Sequence, residues 1–327
     1  MKKSIIIVSI LLCLGSMLSA QDLALYSLND LGHWNIGKDV GFTSFSEAYT
    51  GMYPDSLVIP NMQNRTKEEM QYTILTSEYR NQFLSGAKIS GTDSLFIYDY
   101  STDALASFQV KDLKVVACLT LYAHPDDCPC PEYYYMVGFE IDKSLLRGFS
   151  DYYHNTLVYA GKENPFVRGE MKPIIWERIE PTDFPFEKAD PEIIADMSRE
   201  TNLVMGKTFI YESADFKYYV QDWIDADYNK NLSEMYQIGS RYLLVIDSKS
   251  GEKVIEVDFY RSEGITLFPL YTGETDTDWG EIQWTGMLFK DEPPVVSEFN
   301  YNSFGCPYFI FLSPDKKWLG IRCDNRH

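Results

Sequence analysis

Basic residues are scarce in this chain: 29 Lys and Arg stand against 48 Asp and Glu over 327 residues. That balance excludes nucleic acid as a partner, because affinity for it comes mainly from Lys and Arg neutralising phosphates. An anionic membrane surface is disfavoured on the same ground. Histidine occurs at four positions only, 33, 124, 154 and 327, which makes a His-based triad hard to staff. No Gly-x-Ser-x-Gly elbow, His-Glu-x-x-His or Gly-x-Gly-x-x-Gly occurs, so the common nucleophile, zinc and dinucleotide motifs are missing. Gly206-Lys207-Thr208 ends like a phosphate loop, but Thr201 stands where the first glycine is required. Long apolar runs are lacking too. The best after the first twenty residues, 115–123, has the length of a strand and falls well short of the roughly 20 residues a membrane helix needs.

What is present begins at the first residue. Met1-Lys2-Lys3 precedes an apolar run over 5–14, and Gly15-Ser16-Met17-Leu18-Ser19-Ala20 follows it. A short positive region, an apolar core and small residues are the three parts of a cleavable signal peptide. Cys13 does not make it a lipoprotein signal, since Leu12 stands where that processing wants a small residue. Cleavage is expected after Ala20, leaving a periplasmic or extracellular protein without a membrane span. Loss of Lys2 and Lys3 leaves 27 basic against 48 acidic residues, a net charge of −21. A solvated acidic surface of that kind keeps an exported protein soluble.

Apolar residues make up 45% of the chain and aromatics 15%, with 24 tyrosines. This excludes bulk disorder and suits pleated, half-buried strands. The expected fold is mainly β, of α+β type, with a dozen or more strands and two or three helices. Strand-like runs lie at 95–98, 115–122, 133–141, 216–224, 242–246, 254–260, 282–289 and 307–312. Thr66-Lys67-Glu68-Glu69 is a capping box that should open a helix running to about Leu84, before Gly86. Asp190-Pro191 should cap a second helix, with Ile193, Ile194, Met197 and Val204 on its apolar face and Gly206 closing it. The stretch 181–191 carries three prolines. It marks the expected boundary between an N-terminal β-rich lobe, 21–180, and a C-terminal lobe with a helix and strands, 181–327; the two lobes could equally form one domain.

Two hairpins carry a family resemblance. Tyr242-Leu243-Leu244-Val245-Ile246-Asp247-Ser248-Lys249-Ser250-Gly251-Glu252-Lys253-Val254 resembles a blade hairpin of quinoprotein-type β-propellers. Phe309-Ile310-Phe311-Leu312-Ser313-Pro314-Asp315-Lys316-Lys317-Trp318-Leu319 resembles the Ser-Pro-Asp-Gly-Lys hairpin of TolB-like propellers, with Lys316 at the glycine position. The resemblance implies a β-propeller as the alternative fold, built by repeating a four-stranded blade. The stretch from Ser94 to Phe108 is a looser third case; the resemblance covers a small part of the chain, and the other copies of the unit are not found.

Four local sites follow from the residues. Asp225, Asp227 and Asn229, with Asn231 and Glu234, resemble an EF-hand-like loop, since calcium wants several hard oxygen ligands from a tight turn. Lys230 takes the glycine position and Tyr236 the bidentate glutamate position, so a plain polar loop is the competing reading. Calcium is the one cofactor suggested. His124 with Cys128 and Cys130 has the donor types for zinc or copper, but in an oxidising compartment a disulfide, with Cys118 as one candidate partner, is the stronger reading. Asp55-Ser56-Leu57 and Asp93-Ser94-Leu95 match a bacterial O-glycosylation tripeptide, which requires Ser56 and Ser94 to face solvent. Finally, a four-residue turn at 313–316 sets Leu312 against Lys317 and, six steps outward, Cys306 against Cys323. Directly opposed residues of an antiparallel pair are close enough for a disulfide.

No acid–base pair can be picked from the many carboxylates. The expectation is therefore a non-catalytic protein that binds a glycan, small ligand or partner protein; the alternative is a secreted hydrolase acting on polysaccharide or peptide.

Overall fold

The computed structural model describes residues 23–33, 38–46, 59–63, 65–123, 126, 130, 134–199, 203–226, 237–273, 282–315 and 318–325. The predicted signal segment, 1–20, lies outside them. The fold is mainly β, with 21 strands and three α-helices among the described residues. None of those helices is long and apolar enough to cross a membrane.

A nine-stranded sheet forms the centre. Its order is Met171–Pro173, Trp284–Gly286, Val295–Ser297, Tyr308–Phe311, Trp318–Arg322, Leu25–Ser27, Thr156–Gly161, Ser94–Asp99 and Ala104–Gln109. Strands from both sides of the 180/181 point share it. The junction is Leu25–Ser27, which runs parallel to Trp318–Arg322 and antiparallel to Thr156–Gly161. The sheet curls until its two ends meet. Arg168, just before the first strand, donates to the backbone carbonyl of Asp103, just before the last. Tyr98, Phe166, Phe289, Phe309 and Phe311 fill the inside of the curl.

Two five-stranded sheets cover the outer faces. The first has the order Asn29–Asp30, Gly41–Ser44, Tyr135–Ile141, Lys114–Leu119, Tyr72–Ile74. In Lys114–Leu119, Val115, Ala117 and Leu119 face the main core while Val116 and Cys118 enter a second one. Burial on both faces is why this strand reads as an unbroken apolar run. The second sheet is a meander of Glu177–Ile179, Leu203–Glu212, Phe216–Asp225, Ile238–Asp247 and Lys253–Tyr260. Leu243, Val245, Ile255 and Val257 point at the central sheet, and Tyr242, Leu244 and Ile246 point away. The stretch 181–191 lies on that far side, where Phe184 and Ala189 are buried and the half-buried Ile193 and Ile194 of the helix Pro191–Arg199 pack against them.

Two helix expectations need correction. The capping box forms, with Thr66 Oγ1 accepting from Glu69 N–H and Glu69 Oε2 accepting from Thr66 N–H. Its helix, however, stops at Gln71. Tyr72–Ile74 becomes an edge strand paired with Lys114–Leu119, and a separate helix spans Ser77–Gly86. Tertiary pairing of an aromatic and β-branched run has overridden the helical spacing. Likewise the helix begun by Asp190, whose Oδ1 accepts from Glu192 N–H, ends at Arg199. Val204 and Gly206 belong to the strand Leu203–Glu212, and Gly206 lies within a bulge between Met205 and Thr208. A Cβ at Gly206 would sit 2.9 Å from the Asp222 carbonyl oxygen, so glycine here permits close backbone approach.

Both hairpins that resemble propeller blades form as antiparallel pairs, Ile238–Asp247 with Lys253–Tyr260 and Tyr308–Phe311 with Trp318–Arg322. In the second the register is one residue away from the expected one: Tyr308 faces Gly320 and Ile310 faces Trp318.

Candidate functional site

A cleft of about 400 Å³ opens where the two five-stranded sheets approach each other over the central one. One wall belongs to the N-terminal half: Asn29, the segment Thr120, Leu121 and Tyr122 beyond the strand Lys114–Leu119, and His154. The other wall comes from residues 297–308 and the chain end at 323–325.

The second wall is built from beneath by two buried polar side chains. Gln283 is fully buried, and its Nε2 donates to the carbonyls of Pro269 and Glu298 at 3.2 and 2.9 Å. Its Oε1 accepts from Trp176 Nε1 and Tyr271 N–H at 3.1 and 3.2 Å. One amide thus ties four segments together with every bond satisfied. Arg241, also fully buried, donates to the Phe268 carbonyl at 2.5 Å, and Phe268 lines the cleft. Phe259 and Phe299 stack beside it with centroids 5.0 Å apart.

The chain end closes this wall. Cys306 and Cys323 form a disulfide with Cα atoms 5.5 Å apart. Asn325 Nδ2 then donates to the carbonyls of Ser303 and Gly305 at 2.9 and 3.0 Å. Two non-glycine residues of the wall have left-handed backbone, Glu298 with φ +67° and Asp324 with φ +52°. Such conformations cost free energy and persist where surrounding contacts over-determine them, often at binding sites.

The cleft presents aromatic rings, amides and hydroxyls. Tyr122 and Tyr301 are 62% and 54% exposed at its mouth. Asn300 and Asn302 stand on either side of Tyr301. Tyr308 donates its hydroxyl hydrogen to Asn300 Oδ1 at 2.9 Å, and burial pushes its pKa up to about 12. Deeper in, Ser297 Oγ and Asn29 Nδ2 are buried, and neither has a hydrogen-bond partner among the described residues. Leaving such a group unpaired costs roughly 1–3 kcal/mol. The two acidic lining residues are held from behind: the Tyr100 hydroxyl donates to Glu298 Oε1 at 3.4 Å, and the Ser44 hydroxyl donates to Asp324 Oδ2. No Lys or Arg lines the cleft among the described residues.

The site residues expected from sequence have mixed outcomes. Cys306–Cys323 is present, and it lines the cleft. Because the register is shifted by one, Cys323 bonds from just beyond the strand end, with Ile321 N–H donating to the Pro307 carbonyl at 2.8 Å inside the loop. Of the calcium set, Asp225 ends the strand Phe216–Asp225, where Arg261 Nη2 lies 3.3 Å from its carboxylate. Asp227, Asn229, Asn231 and Glu234 lie outside the described residues, as do His124 and Cys128. Cys130 is disulfide-bonded, but Cys118 is not its partner; it remains a buried thiol. Ser94 is buried in its strand and its Oγ accepts from Gln109 Nε2 at 2.8 Å, so the folded chain does not offer it for glycosylation. Ser56 lies outside the described residues.

Sequence reasoning passed over Asn29, Ser297, Glu298, Tyr301 and Asp324. The one local signal was Phe299-Asn300-Tyr301-Asn302-Ser303, where rings alternate with amides. No family model matches the chain, and no curated protein or solved structure proved similar to it.

Proposed function

We propose that the protein is a non-catalytic binding protein of the periplasm or cell exterior, and that its ligand sits in this cleft. The observation that carries the reading is a cavity of about 400 Å³ rimmed by the exposed rings of Tyr122 and Tyr301 and lined by the amides and hydroxyls of Asn300, Asn302 and Ser303. Concave pockets of this size that set aromatic rings beside polar groups are a usual form of small-ligand site. Support for export is the signal-like segment 1–20 and the disulfide, a bond that persists in oxidising compartments.

A hydrolase reading draws on Glu298 and Asp324 lining the same cleft. Both carboxylates accept hydrogen bonds from residues of the scaffold, which suits a structural role better than proton transfer. The test is direct. Purified protein is incubated with polysaccharide and peptide substrates, and turnover abolished by Glu298→Gln would make it an enzyme. The binding reading expects no turnover, together with a melting temperature raised by a cleft ligand.

A further inference from the structure

Taking the cleft as the binding site proposed above, we infer that its ligand is a neutral saccharide. Charge narrows the class first. Glu298 and Asp324 are the acidic residues of the wall, and no Lys or Arg lines it among the described residues. Phosphorylated, sulfated or uronic ligands would be desolvated next to like charge with no Lys or Arg to pair and His154 as the one basic side chain among the described lining residues, a costly arrangement.

A compact cation would draw on aromatic faces and on these two carboxylates, and it is the competing class that the experiment separates. Apart from His154, the remaining polar groups are amides and hydroxyls. The side-chain amides of Asn300 and Asn302 line the cleft, and an amide can donate and accept. A sugar hydroxyl does both, so a ring seated in the cleft pairs with groups of this kind. Tyr122 and Tyr301, one from each half of the protein, supply exposed rings at the mouth. A pyranose has an apolar C–H face that packs on such a ring while its rim of hydroxyls stays hydrogen-bonded, and a tyrosine gives it a rigid amphipathic platform. An oligosaccharide end or short internal segment suits the volume of about 400 Å³.

The experiment uses the full chain, thermal-shift screening and calorimetry with three probe classes. Neutral probes are oligosaccharides of β-glucan, mannan, xylan and galactan. Anionic probes are oligogalacturonate and heparin oligosaccharide, and cationic probes are spermidine and choline. The expected result is a neutral oligosaccharide that raises the melting temperature. Tyr301→Ala should weaken its binding by about tenfold, and Tyr122→Ala should weaken it as well. Tyr301 is more than half exposed, so this variant should melt like the parent when no sugar is present. A response confined to anionic or cationic probes overturns the saccharide assignment and leaves the cleft a binding site. Neutral binding undiminished in both variants places the sugar elsewhere and overturns it too. No response to any class removes the inference and the binding reading together.

Discussion

Arg241 and Asp222 form a two-pronged ion pair inside the protein, Nε to Oδ1 at 2.6 Å and Nη2 to Oδ2 at 2.9 Å. They face each other across the strands Phe216–Asp225 and Ile238–Asp247. The remaining guanidinium nitrogen donates to the Phe268 carbonyl, so the pair sets the position of a cleft residue. Removing one member of a buried pair leaves the other charge uncompensated, which costs about 3–5 kcal/mol. Arg241→Met should therefore lower the denaturation midpoint sharply. Replacing both residues, Arg241→Met with Asp222→Leu, should recover much of that loss. Urea unfolding of the three chains checks this, and equal stability of single and double variants would contradict it.

Asp99 supplies a pH dependence. It is fully buried and accepts from Ser101 and Ser150, each through backbone and side chain, and from Thr102 N–H and Thr156 Oγ1. Burial alone would raise its pKa. The bonds from Ser150, Ser101 and Thr102 outweigh burial and hold the carboxyl below its ordinary 3.8. A depressed carboxyl contributes stability that is present above the unfolded value and lost as pH falls through the folded one. Stability should thus decline below about pH 4, where the unfolded carboxyl begins to take up protons. Asp99→Asn should be less stable at pH 7 and lose less on acidification, while Asp99→Ala should cost about 3 kcal/mol or more by leaving several donors unpaired. Parallel slopes for parent and Asp99→Asn between pH 5 and pH 3 would refute the assignment.

The capping box gives a smaller, local test. Thr66→Ala removes the acceptor for Glu69 N–H and should cost about 1 kcal/mol. Thr66→Ser keeps the acceptor and should cost little; equal losses for the two would assign the effect to packing.

That box is also the kind of feature a sequence displays openly. A cap is made by neighbours in the chain, so Thr66 and Glu69 announce it themselves. The strands are legible for the same reason, each being a run of suitable residues. What stays hidden depends on partners far along the chain. Tyr72–Ile74 leaves the helical pattern only because Lys114–Leu119 offers it an edge. Gly206 reads as a helix stop until Asp222 and Ile224 are seen crowding it. The cleft is the extreme case, since Asn29, Tyr122 and Tyr301 come from distant segments. No local pattern joins them.

Cys306 and Cys323 lie between those extremes: the pair is legible although its register is not. A bond bridging 17 positions should stabilise the fold by about 3 kcal/mol in the chain-entropy model. Its second effect falls on the cleft, because both cysteines line it and Asn325 docks just beyond, on Ser303 and Gly305. The double variant Cys306→Ser/Cys323→Ser should unfold at lower urea with a similar slope for its transition. Parent protein treated with dithiothreitol should move toward the variant's midpoint. The variant should also lose affinity for any ligand of the cleft under conditions where it is fully folded, because the chain end is no longer pinned to the wall. Identical midpoints for parent and variant would deny the bond a role in stability. Unchanged affinity in the folded variant would show that the hydrogen bonds of Asn325 hold the wall without it.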